Sequence, residues 1–205
     1  MKLLSLLSGL FLLTAAPAMA DSARVVALGD SLTAGYGLQQ GQDFVSQLQA
    51  ALTAEGVDAK LENAGVSGDT SAGGKSRLDW AIGGEPKPRL VIVALGGNDL
   101  LRGLDPAVTK GNISSILKTL KDKDIPAFLV GMKSPANLGP FYQKKFDRIY
   151  SDLADEYNVP LYPFFLEGVA MKPSLNQDDG IHPNIEGVAL IVKNMAPEIK
   201  EALED

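Results

Sequence analysis

The stretch Arg24-Val25-Val26-Ala27-Leu28-Gly29-Asp30-Ser31-Leu32 decides how the chain is read. Its first half is short, aliphatic and rich in β-branched residues, and it stops at Gly29, the pattern of a strand buried on both faces. Ser31 then stands just past the carboxyl end of that strand. In open α/β sheets ligands bind at this edge, because rigid strands hold the loops around a crevice. Ser31 is therefore a candidate nucleophile. Asp and Ser after a strand are also ordinary turn and helix-cap residues, so the rest of the chain has to supply a base.

Upstream of that strand, residues 1–20 carry Lys2, an apolar stretch over 3–13 and the small-residue run Ala15-Ala16-Pro17-Ala18-Met19-Ala20. This is the layout of a secretory signal peptide, with cleavage expected after Ala20. The apolar stretch is shorter than the ~20 residues a bilayer span needs, so no stable membrane anchor is expected to remain. The expectation is an exported protein, periplasmic or secreted, in which residues 21–205 form one domain.

Downstream, strands alternate with helical patterns. Phe44, Leu48 and Leu52 recur every four residues behind Asp43, a candidate N-cap, and the pattern stops at Gly56. A short strand over 59–64 leads into Gly65-Val66-Ser67-Gly68-Asp69-Thr70, and a helix is expected through Leu78 and Ile82. Leu90-Val91-Ile92-Val93-Ala94-Leu95 is continuously apolar, as central parallel strands are, and ends at Gly96-Gly97-Asn98-Asp99. Pro106 suits the first turn of a helix whose inner face is Ile113, Ile116, Leu117 and Leu120. A fourth strand is read over 127–130, then one long helix through Tyr142, Phe146, Ile149, Leu153 and Tyr157, then a short strand at Leu161-Tyr162. Residues 164–183 read as loop. A last helix starts near Asn184, and Pro197 either kinks or divides it. Five strands alternating with helices predict an α/β fold, a flavodoxin-like three-layer α/β/α sandwich around a five-stranded parallel sheet. The loops after its first three strands then share one edge.

Composition narrows the function. Acidic residues number 25 against 19 basic ones, net charge −6, and there is no basic run, so no nucleic-acid partner is expected. No Lys/Arg-rich amphipathic helix offers itself to an anionic membrane. The chain has no cysteine, which removes disulfides and thiol chemistry alike. His182 is the only histidine. A histidine-rich metal site is thereby excluded, and any imidazole-dependent mechanism has one owner.

A serine hydroxyl becomes a useful nucleophile only beside a general base, and that base needs a third group to fix its tautomer. Asp179-Gly180-Ile181-His182-Pro183 places a carboxylate three residues before the histidine, near enough for one local turn to join the two side chains. An isolated histidine is more often a plain loop residue; this one lies in a polar loop that should return to the Ser31 edge. Acyl transfer also requires preset donors for an oxyanion. Gly68 can bring its backbone N–H close to a substrate, and Asn98 can project an amide from the end of the third strand. Either alone reads equally as turn chemistry.

Together, Gly29-Asp30-Ser31-Leu32, Ser67-Gly68-Asp69-Thr70, Gly97-Asn98-Asp99 and Asp179-Gly180-Ile181-His182-Pro183 resemble the four sequence blocks of the SGNH, or GDSL-type, hydrolase family, in the family's order. The likeness is greatest to its exported bacterial enzymes with thioesterase, lysophospholipase and arylesterase activities. It implies Ser31 as nucleophile, His182 as general base and acid, and Asp179 as the group orienting His182. The oxyanion donors would be the N–H groups of Ser31 and Gly68 and the Asn98 amide. Asp30, Asp99 and Asp178 become bracing neighbours, with Asp178 the rival if Asp179 points away. The resemblance implies no metal and no cofactor. It also makes the segment 134–142 similar to an acyl-groove loop, with Leu138, Phe141 and Tyr142 able to cover an apolar chain; an ordinary strand-to-helix connection is the other reading.

The expected reaction is hydrolysis of small-molecule carboxylic esters and thioesters by a monomer. Ser31 attacks the acyl carbonyl, His182 takes its proton, and water releases the acyl-enzyme. Because the base must be neutral and an imidazole ordinarily titrates near ~6.5, hydrolysis should fall on acidification through that range. One alternative is a carbohydrate O-acetyl esterase on the same scaffold, although a single tryptophan, Trp80, leaves few platforms for sugar stacking. A remoter one is a ligand-binding domain whose Gly-rich loops hold an anion, which has no use for Asp179 and His182.

Overall fold

The computed structural model describes residues 22–204, so the expected signal peptide lies outside the described residues. Strands β1 (Ala23–Gly29), β2 (Ala59–Gly65), β3 (Leu90–Ala94), β4 (Ala127–Val130) and β5 (Leu161–Tyr162) form one sheet in the order β2-β1-β3-β4-β5. Every neighbouring pair is parallel, with Val25 opposite both Leu61 and Leu90. This is the doubly wound order in which the chain turns outward in opposite directions from β1 and from β3. The crevice therefore opens at the carboxyl ends of those two central strands.

Side chains on successive strand residues point to opposite faces, and each face packs on its own helices. Val25, Ala27, Ile92 and Phe128 meet α2 (Phe44–Ala54) and α9 (Ile185–Glu204) through Phe44, Leu48, Leu52, Val188, Ile191 and Met195. Val26, Leu28, Val91, Val93 and Leu129 meet the other layer, built mainly from α6 (Pro106–Asp122) and α8 (Ile149–Tyr157) with Ile113, Ile116, Leu120, Ile149 and Leu153. The expected three-layer sandwich is the observed one. Short helices complete it: α1 (Ser31–Ala34), α3 (Ser71–Ser76), α4 (Leu78–Ile82), α5 (Gly97–Leu101) and α7 (Pro140–Phe146).

Local chemistry sets the helix ends. Asp43 caps α2 by accepting from the Ser46 N–H at 3.1 Å, as its position predicts. Asp105 caps α6 just ahead of Pro106. Asn158 closes α8 in the left-handed conformation at φ 52°. Two expectations change. The long helix read through 142–157 is two, α7 and α8, parted at Asp147-Arg148; both residues keep right-handed helical dihedrals, which is why the apolar spacing survives the break. Asp147 instead turns its carboxylate to the Ser134 N–H, at 2.7 Å. The helix expected through Leu78 and Ile82 is likewise preceded by a separate one, α3, with Arg77 at the joint. Pro197 lies inside α9, which runs through it undivided.

Core and surface positions should respond differently to truncation. Leu48→Ala, at a site with no exposure, is expected to cost about 2–5 kcal/mol of unfolding free energy. Trp80→Ala, at 77% exposure, should stay within about 0.5 kcal/mol of the parent in the same urea titration.

Candidate active site

Gly29 ends β1 and lets the chain fold back on itself. A Cβ there would lie 2.0 Å from Thr33 Oγ1, so only glycine lets α1 begin this close to the strand end. Asp30 caps α1 by accepting from the Leu32 N–H at 3.0 Å, and Ser31 takes the first helical position. An N–H at that position has no carbonyl within its own helix to meet.

The only histidine reaches this serine from 151 residues away, with His182 Nε2 2.9 Å from Ser31 Oγ. Its other ring nitrogen, Nδ1, lies 2.6 Å from Asp179 Oδ2. The tautomer that serves both contacts carries its proton on Nδ1 and accepts the Ser31 hydroxyl proton at Nε2. The Asp179 turn is tight because Gly180 takes φ +73°, and the other carboxylate oxygen accepts from the N–H groups of Ile181 and His182, both at 3.0 Å. Burial pulls the Asp179 carboxyl upward, but those donors and the imidazole outweigh it and hold the group at about 2. Asp179, and not the neighbour Asp178 raised as its rival, makes the contact with the His182 ring. The loop is tied down by Gln177, whose Nε2 donates to the carbonyls of Tyr36 and Pro183 at 2.8 and 2.9 Å.

Asn98 stands between the other two donor loops. Its Nδ2 donates to Asp69 O at 2.9 Å and to Asp30 Oδ2 at 3.2 Å, which brings it beside the neighbours of both Gly68 and Ser31. Gly68 has φ +85°, and its carbonyl accepts from Arg102 at 2.8 Å. No acceptor is paired with the Gly68 N–H among the described residues. Asp30 is buried, which pushes its carboxyl up to about 6 against the pull of the Leu32 N–H, Asn98 and His182. Asp99 is fully buried and braces α5, accepting from the Ser71 N–H at 2.7 Å, the Ser71 hydroxyl and the Thr109 hydroxyl at 3.1 Å. The bracing expected of Asp30 and Asp99 is what they do.

A groove of about 370 Å³ opens beside Ser31 and His182. Its walls are Leu100 and Leu101 from α5, Met132 and Pro135 after β4, and Leu166, Met171 and Ile181 after β5. Here the expectation for 134–142 fails in part. Ser134 and Pro135 line the groove, but Phe141 lines a separate hollow with Lys144, Lys145 and Arg148, and the Tyr142 hydroxyl is spent on Leu104 O at 2.8 Å. The start of α7 at Pro140 carries both aromatics away. The groove residues in 164–183 escape a reading of the sequence because an aperiodic segment shows no face; the pair Leu100-Leu101, directly after Asn98-Asp99, is the one signal that could have found part of the wall. Among the described residues no three metal-ligating side chains cluster.

Residues 27–190 match the model of the GDSL-like lipase/acylhydrolase family. The chain is 40% identical over 198 residues to the esterase TesA of Pseudomonas aeruginosa, spanning 97% of this chain and 98% of that protein. It is 40% identical over 191 residues to thioesterase 1/protease 1/lysophospholipase L1 of Escherichia coli, spanning 93% and 89%. It also superposes on the crystal structure of AlinE4, an SGNH-hydrolase family esterase, with a TM-score of 0.76, 48% identity and coverage of 91% of this chain and 99% of that one. With the sheet order, the Ser31–His182–Asp179 line and a family match spanning most of its length, the chain belongs to the GDSL-like lipase/acylhydrolase family.

Proposed function

We propose that the protein is a serine esterase and thioesterase that cleaves small acyl esters and thioesters through an acyl-enzyme on Ser31. The observation that carries this is the unbroken line Asp179 Oδ2, His182, Ser31 Oγ, at 2.6 and 2.9 Å, at the mouth of an apolar groove. Ser31 attacks the acyl carbonyl as its proton passes to His182 Nε2, and ionised Asp179 stabilises the imidazolium so formed. The oxyanion takes hydrogen bonds from the N–H groups of Ser31 and Gly68 and from the Asn98 amide, which exchanges its longer contact, 3.2 Å to Asp30 Oδ2, for the substrate oxygen while keeping Asp69 O at 2.9 Å. His182 then protonates the departing alcohol or thiol, and a water activated by the same imidazole releases the acid. No step calls on a metal or cofactor. The activities in the relatives' names, esterase in one and thioesterase and lysophospholipase in the other, agree with this chemistry.

The groove favours an alkyl chain over an acetylated sugar. Its walls are mainly aliphatic and thioether side chains, and each buried methylene gains about 0.8 kcal/mol. The signal-peptide layout of residues 1–20 supports export with cleavage after Ala20, leaving 21–205 to act as one domain and as a monomer.

Hydrolysis of p-nitrophenyl esters from acetyl to palmitoyl tests the reading. The rate constant should rise with chain length until the groove is full, and Ser31→Ala and His182→Ala should each lower kcat by about 10³-fold or more. A Ser31→Ala enzyme that keeps its rate removes the proposal, and a marked preference for acetylated sugars replaces it with the carbohydrate esterase reading.

The pH profile has a definite sign. The rate should fall on acidification because the base must be neutral, and Asp179, held at about 2, stays ionised across the working range. Burial pushes the Asp30 carboxyl up to about 6, and stability shows its titration. A raised carboxyl pKa favours the fold fully below the unfolded value near 3.8, and that contribution is lost as pH rises through about 6. Between about pH 4 and pH 7 the parent should lose roughly 2 kcal/mol relative to Asp30→Asn in urea titrations.

A further inference from the structure

The donors offered to the oxyanion come from three loops after three different strands, and their mutual spacing is what preorganises the site. One side chain ties the ends of the first two strands to the loop after the second, which in turn holds Asn98 of the third, and it does so outside the substrate groove. Arg77, at the joint between α3 and α4, directs Nη2 to Gly29 O at 2.8 Å, Nη1 to Ala64 O at 2.6 Å and Nε to Asp69 Oδ2 at 2.6 Å. Gly29 lies two residues before Ser31 at the end of β1. Ala64 lies next to the end of β2, which feeds the Gly68 loop. Asp69 follows Gly68, and its carbonyl is the acceptor that holds the Asn98 amide at 2.9 Å.

We propose that Arg77 is the positioning residue of the oxyanion site, setting the separation of the Ser31, Gly68 and Asn98 donors. This rests on the acyl-transfer reading of Ser31. The side chain is chemically suited to that role, because a guanidinium is planar, permanently charged and carries donors in a fixed fork, so one group can hold three acceptors at set angles. An ammonium is a single point and cannot reproduce that fork. The Arg77 and Asp69 side chains are 16% and 20% exposed, which shelters their ion pair from solvent. Arg77 contacts neither Ser31 nor His182 and is absent from the groove walls, so its influence falls on how well the oxyanion is held and not on how the acyl chain binds or how the imidazole titrates.

The test compares the parent with Arg77→Lys and Arg77→Ala on one medium-chain p-nitrophenyl ester, each protein first shown to melt well above the assay temperature. A misplacement of about 1 Å at a reacting centre is worth on the order of 10²-fold in rate. Arg77→Ala is expected to lose kcat on that order and Arg77→Lys about tenfold, with KM within about twofold and the acid limb of the pH profile unmoved. Millimolar guanidinium should restore part of the Arg77→Ala rate while leaving an Asn98→Ala enzyme unchanged. If Arg77→Ala does not fold, Arg77→Lys decides. A folded variant with kcat within twofold of the parent overturns the proposal, as does a loss confined to KM or a displaced acid limb. A parent that hydrolyses no ester is a different result, one that overturns the acyl-transfer reading itself.

Discussion

The contact between Ser31 Oγ and His182 Nε2 joins residues 151 positions apart, and the rest of the architecture is what makes it short. Ser31 leaves β1, near the middle of the sheet, whereas the loop that carries His182 leaves β5, at its far edge. The two meet because α9 packs chiefly against α2. Its apolar face, Val188, Ile191, Val192 and Met195, is buried with Phe44, Leu48 and Leu52 of α2. The segment between β5 and α9 must therefore run along the carboxyl edge of the sheet from β5 toward β1. It passes over the serine, builds one wall of the groove on the way, and is pinned there by Gln177 on the Tyr36 carbonyl. Core packing thus delivers the imidazole to the serine hydroxyl.

Three aspartates around this edge show how one residue type does three jobs. Asp179 is partly exposed, accepts two backbone N–H groups and the imidazole, and stays ionised. That suits a group that stabilises an imidazolium. Asp30 is buried with fewer donors and is held near the middle of the pH scale, where its service is to cap α1 and hold the Asn98 amide. Asp99 is buried in a nest of hydroxyl and N–H donors and locks α5 to α3 and α6. The distinction lies in the number of donors and in solvent access, neither of which is visible in a triplet such as Gly-Asp-Ser.

Much of this architecture is legible in the sequence. The continuous apolar runs at 25–28 and 90–95 announce central parallel strands, the loops after them have to share an edge, and a chain with one histidine leaves little choice of base. Asp179 is legible because the reach to His182 is local. What escapes is whatever depends on the path of irregular backbone: the wall formed by Leu166 and Met171, and the departure of Phe141 and Tyr142 from the groove. Periodicity carries across the Asp147-Arg148 break because the dihedrals there stay helical, so spacing alone does not reveal two helices. Arg77 is invisible for a further reason. Its meaning is three backbone and side-chain acceptors gathered from the ends of β1 and β2 and from the loop after β2, and no local pattern encodes that.

The proposed acylation of Ser31 is open to test by a phosphonate ester with a p-nitrophenyl leaving group. Its phosphorus meets the nucleophile as an acyl carbonyl does but leaves a stable adduct. One p-nitrophenolate should be released per protein, with the matching mass on the peptide containing Ser31, parallel loss of ester hydrolysis, and no labelling of Ser31→Ala. Label on any other residue, or full activity retained after Ser31 is labelled, would contradict it.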